Sequence, residues 1–382
     1  MNYKEYFSQP RKPLPGDVMF DALYPPQEII LSANPRMTKQ VLEGILQAAK
    51  DTDNVVILEL ALSEMDLNGG YCGVTPASFA QRVKEAAEKV GWFGYVLHAD
   101  HLTVKKGTDE DIENIKKEID ARVEAGFSSY AVDSSFLFDR TKSDVQGQLE
   151  NIIRVSVLLF NYIKGKGMAH YGKEGEVGEI GIKEFTEVSE ATHYVDSLKA
   201  NGIDLNWLAI ANGSKHGVTV NADGKIIPQL TINIQRTVEI ADELSKKYWT
   251  RIVQHGTTGT PIELIAEHFP KGKISKCNVG TFWMLIVWDV LKIFEPELYK
   301  KMFEWTIKNY KKDDTPDQEV FAKDGKRATK QFFNEIENVG EDTKNAIRAR
   351  AYVEALVWFR AFGAKGTAKK VYDYIAKNNI EY

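Results

Sequence analysis

Cysteine is scarce in this chain. Cys72 and Cys277 are the only two in 382 residues, which excludes a disulfide framework and makes a reducing cytoplasm the expected compartment. There is no excess of basic charge either. Lys and Arg number 49 against 54 Asp and Glu, a formal net charge of −5, so a general nucleic-acid footprint is excluded. Long apolar runs are missing as well: the clearest, Phe282 to Trp288, stops at Asp289, far short of the roughly 20 residues that a membrane helix needs, and no membrane partner is expected. Met1 to Lys12 carries Lys4, Glu5, Arg11 and Lys12 with no apolar stretch behind it, so no secretory signal is expected. What is present, 43% hydrophobic and 27% charged residues, supplies a sizeable core and excludes disorder as the main state.

Residues 1–27 are rich in proline and read as an irregular lead-in without chemistry. Beyond them, short β-branched or apolar runs alternate with longer stretches of helical period. Eight strands are predicted, at Glu28–Ala33, Asn54–Ala61, Gly94–Ala99, Ser128–Asp133, Gly167–Tyr171, Trp207–Ala211, Arg251–Gln254 and Ile274–Cys277. Helices fit between them, for example over Thr38–Lys50, Pro76–Val90 and Asp144–Lys164, so an α/β (β/α)₈ TIM barrel over 28–296 is the leading architecture and an open doubly wound sheet the alternative. Residues 297–382 turn helical and charged, with predicted helices at Glu297–Lys312, Lys326–Asn338 and Glu341–Phe362. They form a C-terminal helical extension packing on the barrel or on a partner subunit.

Active sites of such barrels lie at the carboxyl ends of the strands, and chemistry-bearing residues concentrate there. The third strand runs into His98-Ala99-Asp100-His101, the fifth leads to Glu174-Gly175-Glu176, the sixth to Asn212-Gly213-Ser214-Lys215-His216-Gly217, and the seventh to His255-Gly256-Thr257-Thr258-Gly259. One histidine in such a place is most often a hydrogen-bonded core or surface residue. Three on separate strand ends, His101, His216 and His255, point instead to a zinc-type site with an open position for substrate. The glycines of the sixth and seventh turns permit close backbone approach, with N–H groups facing an anion where these barrels commonly grip phosphate. His98 is left between a core and a site role, one pleat from Asp100.

With these residues assembled, the chain resembles the class II, metal-dependent fructose-1,6-bisphosphate aldolase family, from about Glu28 to Trp288. The resemblance rests on Asp100-His101, on Gly213 to Val218, on His255 to Gly259, and on Lys276-Cys277-Asn278. It implies His101, His216 and His255 as ligands of a catalytic Zn²⁺, with Glu176 and Asp139 holding the metal in an alternative, inward position. It also implies Asp100 as the acid or base beside the metal, Asn278 as the amide at the reacting carbons, and Glu184 as the acid or base of a mobile loop. Gly217, Gly256, Thr258 and Thr281 correspond to the grip on the ketose-side phosphate, commonly helped by a monovalent cation, and Asn34 to an asparagine that touches substrate. A distal-phosphate arginine, which in the family sometimes comes from the neighbouring subunit, falls among Arg348, Arg350 and Arg360. A cytoplasmic homodimer or higher homo-oligomer acting on a sugar phosphate is the implied context.

The departures bear on the substrate. The family's Asn-x-Asp-Thr is here Asn278-Val279-Gly280-Thr281, lacking a carboxylate that usually holds the aldehyde half, and its Ser-Asn-Gly-Gly is here Leu67-Asn68-Gly69-Gly70. Weaker discrimination at the aldehyde-derived carbons is expected, unless Asp66 or Ser63 substitutes. The leading expectation is reversible cleavage of fructose 1,6-bisphosphate, or a close ketose bisphosphate, to dihydroxyacetone phosphate and glyceraldehyde 3-phosphate. A metal-dependent aldolase or epimerase on another sugar or sugar phosphate is the alternative, and a metal-binding barrel without catalysis is the third.

Overall fold

The computed structural model describes residues 1–178 and 185–382. Eight parallel strands close into a barrel: β1 (Ile30–Ala33), β2 (Val56–Ala61), β3 (Tyr95–Thr103), β4 (Ser129–Asp133), β5 (Gly172–Val177), β6 (Trp207–Ile210), β9 (Arg251–Gln254) and β10 (Ile274–Val279). Strands β7 (Thr219–Val220) and β8 (Ile226–Ile227) form a small antiparallel hairpin in the loop after β6. The (β/α)₈ architecture expected from the sequence is the one observed. Helices α3 (Lys39–Asp51), α4 (Pro76–Val90), α5 (Asp109–Glu124), α6 (Val145–Lys164), α7 (Val188–Ala200), α8 (Ile234–Ser245), α9 (Ile262–His268) and α10 (Thr281–Phe294) lie around it. Local signals set their ends. In α4, Thr75 accepts from Ser78 N, Pro76 opens the first turn, and Gly91 closes the helix in the left-handed region. No described helix is long and apolar enough to cross a membrane.

The lead-in is not irregular. It forms α1 (Tyr3–Ser8), capped reciprocally by Asn2 and Glu5, and α2 (Gly16–Ala22). Leu14 N donates to Tyr95 O and Gly16 N to Ser128 O, so this segment seals the barrel floor at the start of β3 and β4. Gly16 is required there: a Cβ would lie 2.8 Å from Ser129 Oγ and 2.9 Å from Gly172 Cα.

Strand five lies later than expected, at Gly172–Val177 rather than Gly167–Tyr171. Its alternating Lys173, Glu174 and Glu176 read as a polar loop, but the barrel interior holds cationic partners for Glu174, and tertiary context overrides the pattern. The expected helix over Lys326–Asn338 is broken into a 3₁₀ turn (Gly325–Arg327), α13 (Ala328–Gln331) and α14 (Phe333–Glu337).

The extension also holds α11 (Pro296–Tyr310), α12 (Asp317–Asp324), α15 (Glu341–Phe362) and α16 (Thr367–Asn378). It wraps the barrel from mouth to floor. α15 runs against α3 at a crossing that only Gly44 allows, since a Cβ there would sit 2.6 Å from Arg348 O. At the floor, Phe362 O accepts from Ile29 N, and Thr367 Oγ1 from Val55 N at 2.9 Å. Near the mouth, Arg82 pairs with Glu337 at 2.7 Å, and Lys330 Nζ donates to Asn68 O at 2.9 Å, tying α13 and α14 to α4 and to the loop after β2.

Candidate metal and active site at the barrel mouth

The carboxyl ends of the strands open into a cavity of about 1130 Å³. Asn34, Asp100, His101, Glu176, His216, Gly217, His255, Gly256, Thr258, Asn278 and Thr281, all named from the sequence, line it together. The three imidazoles face one another, with ring centroids 4.6 Å apart for His101 and His255, 5.9 Å for His101 and His216, and 6.4 Å for His216 and His255.

Backbone geometry aims His101. The β3–β4 register slips between Ala99 and Leu102, and His101 sits at φ +43°, a left-handed conformation that costs about 1–3 kcal/mol in a non-glycine residue. The irregularity turns its Nδ1 to Glu176 Oε2 (3.0 Å) and Asp133 Oδ2 (3.4 Å), and leaves Nε2 4.0 Å from Asp100 Oδ2. Burial opposes charge on this ring, but Asp100, Glu176 and Asp133 outweigh it and hold its pKa well above the usual range. His216, with an outer edge open to solvent, is pushed down by desolvation within the cleft and then by His101, His255 and Arg36, a depression that solvent at that edge tempers.

His255 is held from below. Its Nε2 lies 3.2 Å from Glu174 Oε1, while its buried Nδ1 has no hydrogen-bond partner among the described residues. Glu174 Oε2 also accepts from Lys276 Nζ at 2.8 Å and faces His98 Nε2 at 3.4 Å; Lys276 reaches Glu59 at 3.1 Å, and His98 Nδ1 meets Ser129 Oγ at 2.7 Å. Burial alone would raise Glu174, yet Lys276, His255 and His98 bring it well below the carboxylate range. His98 thus belongs to the polar layer beneath the site.

These residues fit a divalent cation. The site combines three imidazoles, an orphaned buried Nδ1, and carboxylates that converge on His101. Asp100, His101 and His255 have ligand atoms within 4.8 Å of one another, as do His101, Asp133 and Glu176. Asp100 Oδ1 accepts from Asn278 Nδ2 at 3.2 Å, and Asn278 Oδ1 is buried without a partner among the described residues. Burial raises the Asp100 pKa, His101 and Lys276 oppose that rise, and Glu174 and Glu64 reinforce it.

The turns beside the imidazoles suit an anion. Gly256 adopts φ +64° with a would-be Cβ 2.5 Å from Lys215 O, so no other residue fits. Thr258 Oγ1 accepts from Phe282 N at 3.3 Å, and Thr281 opens the 14-residue α10, whose N-terminus has no side-chain cap. Thr257 turns inward onto Cys277 Sγ at 2.9 Å.

Several residues named from the sequence stand elsewhere than expected. Asp139 bonds Thr141 at 2.6 Å and does not line the cavity; Asp133, at the end of β4, stands with His101 and Glu176 instead. Arg348 pairs with Glu43 at 2.5 Å and Arg350 with Glu354 at 2.7 Å on α15, so neither reaches the mouth of its own barrel, and Arg360 does not line it either. Leu67 does not line the cavity, whereas Ser63 and Asp66 do; Asp66 Oδ1 accepts from Asn68 N (2.7 Å) and Gly70 N (2.9 Å) within its own loop. Glu184 lies outside the described residues.

Sequence reasoning missed Asp133, Arg36 and Lys326. Asp133 carried the strand-end signal that flagged Asp100. Nothing local marks the other two, which the fold brings in from the first βα loop and from the extension.

A family model described as fructose-bisphosphate aldolase class-II matches residues 29–344, and the chain belongs to that family. Among solved structures, it is similar to a chain described as a probable tagatose 6-phosphate kinase from Sinorhizobium meliloti 1021 (TM-score 0.61, 16% identity, covering 91% of this chain and 98% of that one). It is also similar to the YdjI aldolase of Escherichia coli K12 (TM-score 0.59, 16% identity, 93% and 99% covered) and to the fructose-bisphosphate aldolase of Campylobacter jejuni (0.58, 16%, 96% and 96%). The D-tagatose-1,6-bisphosphate aldolase subunit GatZ of Escherichia coli O1:K1 is 31% identical over 112 residues, which cover 28% of this chain and 26% of that protein. The match therefore spans about a quarter of the length of these curated relatives.

Proposed function

We propose that this protein is a divalent-metal-dependent aldolase that reversibly cleaves a ketose bisphosphate, fructose 1,6-bisphosphate or a close relative, into dihydroxyacetone phosphate and a phosphorylated aldehyde. One observation carries the reading: three imidazoles from separate strand ends converge at the mouth, two of them, His101 and His255, with Asp100 beside them, and His255 presents a buried, unbonded Nδ1. Family membership supports it, and the tagatose bisphosphate named for the GatZ relatives keeps the C4 epimer in play as substrate.

His101, His216 and His255 would hold the ion, most readily Zn²⁺. Bound there, it supplies electrophilic stabilisation for the charge that develops on the ketone oxygen. The protein's own groups do the rest. Asp100 takes the proton of the C4 hydroxyl as the C3–C4 bond breaks and the aldehyde carbonyl forms, and Asn278 orients the reacting hydroxyls through its free Oδ1. The electron pair of that bond passes toward the ketone carbon, and C3 receives a proton from Glu184, the role that the family resemblance gives it. The turns at Gly217 and Gly256, with Thr258 and Thr281, line the cavity where they would hold the ketose-side phosphate, which the family resemblance pairs with a monovalent cation. Asp133 and Glu176 fix the tautomer of His101 from its Nδ1 side and would be the carboxylates that hold the ion in the family's inward position.

The test is turnover of fructose and tagatose 1,6-bisphosphates and of fructose 1-phosphate by zinc-replete protein. Cleavage of a bisphosphate to dihydroxyacetone phosphate supports the proposal. Turnover of none, by protein shown to hold one zinc per chain, leaves a metal-binding barrel without catalysis.

A further inference from the structure

The turns that carry His216 and His255 are tied together by side chains standing outside the cavity. Gln229 follows the β7–β8 hairpin, is half-buried and does not line the cavity. Its Oε1 accepts from Lys215 N at 2.6 Å, next to His216. Its Nε2 donates to Gly256 O at 2.6 Å, next to His255, and to Thr260 Oγ1 at 3.1 Å. Gln229 N donates to Gly259 O at 2.8 Å, so one residue grips the turn after β9 at both ends and the turn after β6 as well. A second amide works from beneath. Gln254 Nε2 donates to His255 O at 2.8 Å, and Gln254 Oε1 accepts from Asn212 Nδ2 at 2.7 Å. The carbonyls on both sides of Gly256 are thus held, one by each glutamine, and in a trans peptide each following N–H points the opposite way. Gly256, at φ +64°, has no side chain to fix these planes itself, and its N–H has no partner among the described residues. The turns also touch: a Cβ at Gly259 would lie 3.6 Å from Gly217 O and 3.3 Å from Gln229 Cβ.

We propose that Gln229 is a positioning residue for the ketose-side phosphate, acting through Lys215 N and Gly256 O to hold the turns of Gly217 and Gly256 at the spacing that one phosphate bridges. The proposal rests on the aldolase reading and adds to it a residue that never meets substrate. A neutral amide suits the place because its acceptor meets an N–H on one turn and its donor a carbonyl on the other; glutamate keeps only the acceptor, and methionine keeps neither. The ligating imidazoles do not depend on Gln229 in the same way, since the Asn212–Gln254 pair joins the same two strand ends below it. Loss of Gln229 therefore falls on phosphate affinity and spares the metal.

The experiment compares zinc-replete wild type with Gln229→Met and Gln229→Glu. It follows exchange of the C3 hydrogen of dihydroxyacetone phosphate, and of the matching hydrogen of unphosphorylated dihydroxyacetone, with deuterated water. Both variants should raise KM for the phosphate ester about 10- to 100-fold, the scale of one hydrogen bond to a charged group, while kcat moves less than about threefold and one zinc per chain stays bound. For the unphosphorylated compound kcat/KM should move less than about threefold, because the grip plays no part in its binding. A wild-type KM in either variant overturns the proposal; in Gln229→Glu it would show that the bond to Lys215 N alone suffices. Equal losses with the two compounds, or loss of zinc, also overturn it, since they mark damage to the barrel mouth as a whole. If wild type exchanges neither hydrogen, the aldolase reading fails on its own, and titration calorimetry with inorganic phosphate decides the role of Gln229. Binding about tenfold weaker in Gln229→Met than in wild type upholds that role, and equal binding, or none in wild type, overturns it.

Discussion

Glu174→Gln is the perturbation that most sharply probes how the site is supported. The carboxylate lies beneath the mouth with cationic or N–H groups on three sides: Lys276 at 2.8 Å, His255 at 3.2 Å and His98 at 3.4 Å. A glutamine keeps the shape but offers one acceptor and one donor, so at least one of these contacts becomes donor against donor. Lys276, fully buried, would keep only Glu59 at 3.1 Å. Breaking a buried pair by removing one partner costs about 3–5 kcal/mol, and because Glu59 remains, the lower end of that range applies. The second consequence is at the metal. With Nε2 of His255 no longer oriented, zinc affinity should fall about 10- to 100-fold, the usual effect of losing a carboxylate behind a ligating imidazole. Urea denaturation of the chelated protein reads the first effect, and zinc titration against a competing chelator reads the second. Combining Glu174→Gln with Lys276→Met should recover neither the stability nor the zinc affinity, since it takes from buried Glu59 the ammonium group 3.1 Å away. Wild-type zinc affinity in Glu174→Gln would refute the claim that Glu174, through Nε2, orients His255 toward the ion.

Asp100→Asn keeps an acceptor for Asn278 but loses the base; zinc should stay bound while cleavage falls about 10²- to 10⁴-fold, and near-normal turnover would remove Asp100 from the proton step. Burial alone would raise the Glu64 pKa, yet Arg36 and three further donors lower it, so its contribution to stability is present above the unfolded value of about 4.3 and is lost as pH falls through its lower folded value. A Glu64→Gln protein should therefore show a flatter acid limb in urea denaturation of chelated protein between about pH 5 and 3; an identical limb would show that Glu64 does not carry it. Gly256→Ala forces a Cβ against Lys215 O and should cost about 1–3 kcal/mol and raise KM for the ketose phosphate more than it lowers metal content, and an unchanged KM would place the phosphate elsewhere.

What the sequence revealed follows from where the signals are local. The barrel was legible because each βα unit carries its own periodicity and caps, as Pro76–Val90 shows by matching its predicted bounds. His101, His216 and His255 were legible because a rare residue beside a glycine or aspartate at a strand end is a local pattern. Strand β5 was misplaced because Glu174 belongs in a barrel interior only once Lys276, 102 residues later, is there to meet it. Asp139 was named on resemblance and Asp133 was not considered, although Asp133 ends a predicted strand and lies across from the register slip that turns His101. The Arg36 and Gly280 pairing and the place of Lys326 in the cavity wall were invisible because both depend on contacts between segments far apart in the chain. A missing carboxylate reads as a loss until the guanidinium that fills its place is seen.

The central claim is that three imidazoles hold a divalent ion which, with the groups around it, makes the C3 hydrogen of dihydroxyacetone phosphate exchangeable. Exchange of that hydrogen with deuterated water, followed by proton NMR, measures this without the acceptor half of the reaction. Zinc-replete wild type should exchange it, chelated protein should not until zinc is restored, and His216→Ala should bind zinc weakly and exchange slowly at any zinc concentration. Exchange that survives complete removal of the metal, or that proceeds at the wild-type rate in His216→Ala, would contradict the account.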